Sequence, residues 1–398
     1  MSKSVKYGGK RRSMMKKRKV YPSKKNNVRK QRITKKRMTG GEPINILLII
    51  DPQNDFTPAY PGWKGGSLAV EGSIEDYKNM IEMIKFSSSK TMGGIIFDEI
   101  HVSLDTHTNQ HIGHPGFWYK WNENSNNWEN ADESDGFTVL KVVNNDIIGS
   151  NDKKYKPRDP VFDDYAKSYI NYFYDPKKNR HGLFPIIWKT HCIEDSDGHK
   201  IYKDLQSALD KHQNVRYHLK GQNELTEMYS IFSAENQEVP SNLKSYSGKK
   251  LKCDDPKMSE KYESIINCLN TNINTNIDLI KKIVIGSKNI TKNIYICGQA
   301  RTHCVRSSII DMIDNVKATN VNNYHIKFIK NMSSAIPGFD KIKNADGTNN
   351  LMYTDNIDAF IVKVGGQVYE WNSTNKNVEQ INNINIQNYK NIIPGSLY

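Results

Sequence analysis

The sequence lacks the features of membrane-spanning and secreted proteins. No apolar run approaches the roughly 20 residues that a transmembrane helix needs, and the N-terminus has no apolar stretch typical of a secretory signal. The chain holds only five cysteines, an odd number without paired spacing, which argues against a disulfide scaffold. We therefore expect an intracellular protein in a reducing compartment, without contact to a membrane.

Acidic residues are missing from the first 40 positions, which carry 17 Lys and Arg side chains. The rest of the chain has 40 basic and 43 acidic side chains, so the net charge of +14 is a property of the tail. A segment that repels itself and lacks hydrophobic periodicity predicts a disordered basic tail over residues 1–41.

The tail contains the stretch KKRKV at residues 16–20, which has the composition of a nuclear-import signal. The surrounding basic side chains could neutralise phosphates. An import receptor or nucleic acid is therefore the expected partner of the tail, and the nucleus or a virion is the expected location. A solubilising arm is the alternative.

Beyond the tail, apolar runs alternate with segments of helical spacing. Ile44–Ile50 is a continuous branched run that is typical of a buried parallel strand. Further strands are predicted at residues 100–104, 185–189, 215–220, 293–297, 326–329 and 360–364, and helices at residues 73–86, 256–283 and from Cys304 onward. This alternation predicts an α/β fold, namely a three-layer α/β/α domain with a mainly parallel, Rossmann-like central sheet.

The domain is expected to cover residues 42–370, with two insertions. Residues 119–182 are polar and aromatic, residues 233–256 have the composition of a surface loop, and residues 371–398 form an Asn-rich C-terminal extension. No internal repeat is visible, and a homo-oligomer is a candidate assembly.

Chemically active side chains follow several of the predicted strands. Asp51, Asp105, Trp188, Lys220 and Gly298 each lie at or just after a predicted strand end. Because parallel sheets bind ligands beyond the carboxyl ends of their strands, we expect these residues to share one site.

Four segments resemble nicotinamidases within the isochorismatase-like superfamily of cysteine hydrolases. They are residues 51–56 (DPQNDF), 65–72 (GGSLAVEG), 220–230 (KGQNELTEMYS) and 298–305 (GQARTHCV). The resemblance spans residues 44–365, and the 220–230 segment is similar to that of a nicotinamidase-related subgroup. It implies a hydrolase of a small amide that releases ammonia through a thioester acyl-enzyme. It also implies a triad of Asp51, Lys220 and Cys304, with an oxyanion hole formed by the backbone N–H groups of Ala300 and Cys304.

The residue types suit this chemistry. A thiolate is the nucleophilic form of cysteine, and a helix N-terminus together with the Lys220 ammonium is predicted to lower the pKa of Cys304. Asp51 could accept the thiol proton and return it to the leaving amine. Without its motif, Cys304 would be read as an ordinary buried thiol.

A second constellation predicts a divalent metal ion. Carboxylate and imidazole ligands suit Zn, Fe or Mn. The resemblance implies Asp105, His107 and His191 as ligands, with His111 as a further candidate and His114 also within reach. Solvent-exposed loop histidines are the alternative.

The resemblance also matches Phe56, Trp188 and Tyr229 to positions that wall the substrate pocket, where a flat ring lies between aromatic faces. Departures such as Thr106 and Arg301 leave the substrate open. The alternatives are a metal-free isochorismatase or carbamoyl amidase-type hydrolase, and a nucleic-acid- or virion-associated protein that retains the fold. The frequent Asn, Ile, Lys and Tyr residues are typical of an AT-rich genome, such as that of a large DNA virus.

Overall fold

The computed structural model describes residues 42–87, 95–236, 279, 283, 290–318, 323–339 and 357–384. The predicted basic tail, nearly all of the predicted helix at residues 256–283 and most of the second insertion lie outside the described residues. Within the described part of the chain, no helix has the length and apolar character needed to cross a lipid bilayer.

A seven-stranded sheet lies at the centre of the fold. Its strands are β1 (Ile44–Ile50), β2 (Glu99–Asp105), β9 (Val215–Lys220), β10 (Lys292–Gly298), β11 (Tyr324–Ile329), β12 (Gln367–Asn372) and β13 (Asn377–Gln380). Their order across the sheet is β13-β12-β11-β10-β1-β2-β9, and each neighbouring pair is parallel except β12 and β13. The predicted α/β class with a mainly parallel central sheet is confirmed.

Helices cover both faces of this sheet. They are α1 (Ser73–Ser87), α2 (Asp163–Tyr174), α3 (Lys203–Leu209), α4 (Arg306–Ala318) and α5 (Ile357–Lys363). Alternate side chains of β1 point to opposite faces: Leu47 packs in one cluster with residues of α1 and α3. Leu48 packs in the other cluster with residues of α2, α4 and α5. The fold therefore has the three predicted layers.

The first insertion forms a second, antiparallel sheet. Its strands are β3 (Trp118–Asn122), β4 (Asn127–Asn130), β5 (Thr138–Val143), β6 (Asp146–Gly149), β7 (Lys154–Pro157) and β8 (Ile186–Ile187), in the order β4-β3-β7-β6-β5-β8. The strand predicted at residues 185–189 is thus not part of the central sheet. Ile186 and Ile187 instead pair with Val139 and Thr138.

The strand predicted at residues 360–364 is wrong. This segment is helix α5, and the sheet strand that follows it is β12. Ile357, Phe360 and Ile361 are all at least 96% buried, and their spacing is that of one helical face. A short apolar run does not distinguish a buried strand from a buried helix.

Two peripheral segments also differ from expectation. Residues 233–236, predicted as the start of a surface loop, are buried. In the Asn-rich segment after residue 371, β13 pairs with β12 and extends the sheet. Polar composition alone gave no sign of this pairing, because Asn377–Gln380 has a single apolar residue, Val378.

Candidate active site

The predicted nucleophile lies where β10 turns into α4. Gly298 ends β10 with φ +119°, and a Cβ atom there would lie 2.1 Å from the carbonyl oxygen of Ile50, so only glycine fits against β1. Ala300 follows, and a π-helical turn, Arg301–Val305, leads into α4. Cys304 lies in this turn with 6% of its surface exposed. The predicted oxyanion-hole residues thus lie at the start of a continuous helical segment.

Lys220, at the end of β9, lies at the centre of the predicted triad. Its Nζ atom is 2.9 Å from Asp51 Oδ2, 3.0 Å from Asp105 Oδ1 and 2.9 Å from the carbonyl oxygen of Met228. The same Nζ is 3.7 Å from Cys304 Sγ. Asp105 and Lys220 are direct partners in the register of β2 and β9. The structure therefore brings all three predicted catalytic side chains together.

Burial and neighbouring charges together set the pKa values of Lys220 and Asp51. Burial alone would lower the pKa of Lys220, but the carboxylates of Asp105 and Asp51 outweigh it, and the pKa lies well above its ordinary value. Burial raises the pKa of Asp51, although Lys220 opposes this effect. Ser103 Oγ also donates to Asp51 Oδ1 over 2.6 Å. Lys220 is therefore a fixed cation beside a carboxylate that is more basic than usual.

The pKa of the Cys304 thiol differs from the lowered value that the sequence predicted. Burial raises the pKa of Cys304 well above its ordinary value, and the lowering effect of Lys220 does not compensate, since Asp51 and Asp105 raise the pKa further. Cys304 is therefore protonated at rest. It needs a base to remove its proton, and Asp51 is the nearby group suited to that role.

Four buried histidines converge beside the triad. The ring centroids of His107 lie 4.2, 5.0 and 5.1 Å from those of His111, His114 and His191. Each of the four rings has one nitrogen within 3.2 Å of a backbone carbonyl, which belongs to Gly221, Thr226, Thr108 and Lys189 respectively. A carbonyl oxygen only accepts, so that nitrogen carries a hydrogen. The second nitrogen of His107 lies 2.9 Å from Asp105 Oδ2; burial lowers the pKa of His107, but the Asp105 carboxylate outweighs burial and the pKa is raised.

This pattern is typical of metal-binding histidines, whose second ring nitrogen usually donates to a carbonyl or carboxylate. His107, His114 and His191 place one ligand atom each within 4.8 Å of the others. Burial, followed by neighbouring imidazoles, lowers the pKa of His111 and of His114 well below the ordinary value, so both are neutral and able to bind a cation.

Asp105 completes the donor set. Its Oδ2 atom is 2.9 Å from His107 Nε2 and 3.4 Å from His191 Nε2. Two ligands of one tetrahedral zinc ion lie about 3.3 Å apart, given bonds of about 2.0–2.1 Å. The donor atoms therefore fit a divalent transition ion, and the structure adds His114 to the residues that the sequence implied.

The predicted pocket residues lie in two places. Trp188 Nε1 donates to Tyr229 Oη over 3.0 Å, and both rings lie near His303, with centroids 5.1 and 5.6 Å away. Phe56 lies apart from them, against His191, at 5.8 Å between centroids. Sequence reasoning missed His303 as a wall residue, although its position next to Cys304 was a usable signal. Phe339, at 4.8 Å from the His303 ring, had no sequence signal.

Comparisons with known proteins give only distant matches. No family model and no curated protein sequence matches this chain. The yeast nicotinamidase structure overlaps with a TM-score of 0.44 at 14% identity, covering 82% of this chain and 99% of its own. A pyrazinamidase from Pyrococcus horikoshii in complex with zinc gives 0.39 at 15% identity, covering 82% and 99%. A nicotinamidase from Bacillus subtilis gives 0.34 at 15% identity, covering 81% and 98%. All three TM-scores lie below 0.5.

Proposed function

We propose that this protein is a cysteine hydrolase that cleaves a small carboxamide and releases ammonia. The observation that carries the proposal is the position of the Lys220 ammonium, 2.9 Å from Asp51 Oδ2 and 3.7 Å from Cys304 Sγ. A nucleophile, a base and a fixed cation at the carboxyl ends of three strands form the arrangement that covalent acyl transfer requires. Isolated buried thiols have no such partners.

In the first half-reaction, Asp51 accepts the Cys304 proton as Sγ attacks the carbonyl carbon of the amide. The C–S bond forms, and the carbonyl π electrons move onto oxygen. The N–H groups of Ala300 and Cys304, at the start of the helical segment, would stabilise that oxyanion. Lys220 offsets the negative charge that passes between Cys304 and Asp51.

Collapse of this intermediate breaks the C–N bond. The protonated Asp51 gives its proton to the leaving nitrogen, so ammonia departs and a thioester on Cys304 remains. In the second half-reaction, Asp51 removes a proton from water while the water oxygen attacks the thioester. Breaking the C–S bond returns the proton to sulfur and releases the carboxylic acid. Asp51 thus serves as base and acid in turn, for which its raised pKa is suited.

The histidine cluster supports a metal-assisted version of this reaction. Asp105, His107 and His191, with His114 beside them, would hold one divalent transition ion, and Zn, Fe and Mn all suit such ligands. When bound, the ion would act as a Lewis acid toward a ring nitrogen or a water molecule. The reaction of a metal-free isochorismatase or carbamoyl amidase does not require a cluster of four imidazoles, so the cluster favours the metal-assisted reaction.

The aromatic walls suggest the substrate class. The rings of Trp188 and Tyr229 pack near His303, the residue before Cys304, and Phe56 packs against His191 of the histidine cluster. A flat heteroaromatic carboxamide would match this arrangement, with its ring nitrogen toward the cation and its carbonyl carbon toward Cys304.

We propose a separate binding role for the basic tail. Its 17 positive charges against no negative ones support binding to a polyanion such as nucleic acid, or to an import receptor. This would place the hydrolase in the nucleus or a virion without changing its chemistry.

Ammonia release from a panel of heteroaromatic, aliphatic and ureido amides tests the proposed reaction directly. The heteroaromatic carboxamides should be the best substrates. Cys304→Ala should lower turnover by about a thousandfold or more and abolish the acyl-enzyme mass adduct. The matched control is Cys297→Ala, which alters a buried thiol of β10 and should remain active. Near-normal turnover by Cys304→Ala, or no ammonia from any amide, would refute the proposal.

A further inference from the structure

Glu227 has a buried carboxylate oxygen that the triad chemistry does not use. The residue is 4% exposed, and among the described residues no hydrogen-bond partner faces its Oε1 atom. Gly113 lies close against this oxygen, since a Cβ atom on Gly113 would clash with Oε1. An unpartnered buried carboxylate oxygen is strongly unfavourable unless a cation or a donor meets it.

A neighbouring ring nitrogen of His111 is itself an acceptor. His111 Nδ1 lies 3.7 Å from Glu227 Oε1, too far for a hydrogen bond. His111 Nε2 lies 3.2 Å from the Thr226 carbonyl, so it carries the ring hydrogen. The Gly113 N–H also donates to Nδ1 over 3.1 Å, so Nδ1 is unprotonated, and a cation bound at Nδ1 would replace this hydrogen bond. Two acceptor atoms, His111 Nδ1 and Glu227 Oε1, therefore face each other without a hydrogen bond between them.

We propose that Glu227 and His111 are ligands of the divalent cation and form with His107 a two-histidine, one-carboxylate set. The ligand atoms of these three residues lie within 4.8 Å of one another. The proposal rests on the metal site proposed above and extends it. Glu227 belongs to the Lys220 segment, which the family resemblance assigns to the triad and not to the metal.

This ligand would connect the cation to the catalytic lysine. Met228 follows Glu227 directly, and its carbonyl oxygen accepts a hydrogen bond from Lys220 Nζ over 2.9 Å. A cation bound to Glu227 thus fixes the loop that orients Lys220 toward Cys304.

The test is the affinity of the full-length protein for Co²⁺ alone, measured by visible absorption in competition with a chelator. Glu227→Gln keeps the shape of the side chain and removes its charge, so affinity should fall about tenfold to a hundredfold. The matched control is Glu224→Gln, the same change three residues away, where the carboxylate accepts from Thr108 Oγ1 instead of facing His111. Its affinity should equal that of the wild type.

Melting temperatures separate a ligand from a merely structural residue. Metal-free Glu227→Gln should melt no lower than the metal-free wild type, because the substitution removes a buried charge. The stabilisation that Co²⁺ gives the wild type should shrink in this variant. Unchanged Co²⁺ affinity in Glu227→Gln, equal losses in both glutamine variants, or no Co²⁺ binding by the wild type would each overturn the proposal. The Co²⁺ measurements do not depend on ammonia release. A failure of the ligand proposal is therefore distinguishable from a failure of the proposed hydrolase reaction.

Discussion

Lys220 Nζ lies 2.9 Å from Asp51 Oδ2, although strand β2 separates β9 from β1 in the sheet. The long lysine side chain reaches across the end of β2 and meets Asp105 Oδ1 on the way, at 3.0 Å. One buried cation is thereby shared between two carboxylates. Burial raises the pKa of Asp51 in spite of this cation, which suits a group that must take up and return a proton.

Lys220→Met should make Cys304 harder to ionise. Lys220 is the neighbouring group that lowers the pKa of Cys304, while burial, Asp51 and Asp105 raise it. Removing the ammonium therefore moves the thiol pKa further upward, by about one unit or more for an opposite charge at this range. The rate of alkylation by iodoacetamide, measured against pH, should shift to more alkaline values.

A second lysine provides the control for this substitution. Lys120 also pairs with two carboxylates, Asp132 and Asp135, each at 2.8 Å, but within the antiparallel sheet of the insertion. Lys120→Met should leave the alkylation profile of Cys304 unchanged. Identical profiles for wild type and Lys220→Met would show that the lysine does not act on the thiol.

The sequence predicted the positions that depend on strand ends. Asp51 follows a branched apolar run that is typical of a buried strand, and Lys220 ends the strand predicted at residues 215–220, so their location at one edge of the sheet could be inferred. The contact between Lys220 and Asp105 depends on the register of β2 and β9, which no residue pattern specifies. The roles of these residues remain predictions.

The parts that could not be predicted are set by loop geometry. Glu227 Oε1 lies 3.7 Å from Nδ1 of His111, and a linear sequence gives no sign of this contact. The spacing made His114 a candidate, but its contact with His191 is set by the fold. The antiparallel sheet of the insertion could not be predicted from the sequence for a different reason. Short strands such as Asn127–Asn130 carry mainly polar residues and lack the alternation that marks a half-buried strand.

Gly221→Ala should damage the histidine cluster. Gly221 has φ +73°, and a Cβ atom there would lie 2.6 Å from His107 Cε1 and 2.9 Å from Asp105 Oδ1. The new methyl group must displace one of these side chains, so we expect metal affinity and amide turnover both to fall about tenfold or more.

The Gly62→Ala variant is the control for Gly221→Ala, because it introduces backbone strain without a steric clash. Gly62 has φ +87°, but a Cβ atom on this residue would meet nothing within 4 Å. This variant should lose about 1 kcal/mol of unfolding free energy through the left-handed conformation alone, with unchanged Co²⁺ affinity. Equal metal affinities for the two alanine variants would contradict the role given to Gly221.

Deleting residues 1–40 should leave ammonia release intact and remove binding to duplex DNA. The deleted segment holds all of the excess positive charge, because the remaining chain has 40 basic and 43 acidic side chains. Fluorescence binding at low and physiological salt provides the measurement. Changing only residues 16–19 (KKRK) to alanine should impair nuclear accumulation while most DNA binding remains. Strongly salt-dependent DNA binding by the truncated protein would rule out this division of roles.

The pH dependence of stability should reveal a buried imidazolium behind the nucleophile helix. His181 Nδ1 lies 2.7 Å from Glu235 Oε1, and its Nε2 lies 2.9 Å from Oδ1 of Asp311 on α4. Burial alone would lower the pKa of His181, but Glu235 and Asp311 raise it from 6.5 to about 9. A pKa that is higher in the folded state stabilises the fold fully below the unfolded pKa, and this stabilisation is lost as the pH rises through the folded pKa.

Chemical denaturation of the wild type and His181→Gln should therefore diverge below pH 6.5 and converge near pH 9. The shift corresponds to about 3 kcal/mol of unfolding free energy at the low-pH end. His218→Gln is the matched control. Burial, followed by Arg216, lowers the pKa of His218 to about 4, so its difference from the wild type should stay constant across this window. A constant difference for His181→Gln as well would mean that His181 is neutral in the folded protein, and that Arg180 is the cation that pairs the insertion with Asp311 of α4.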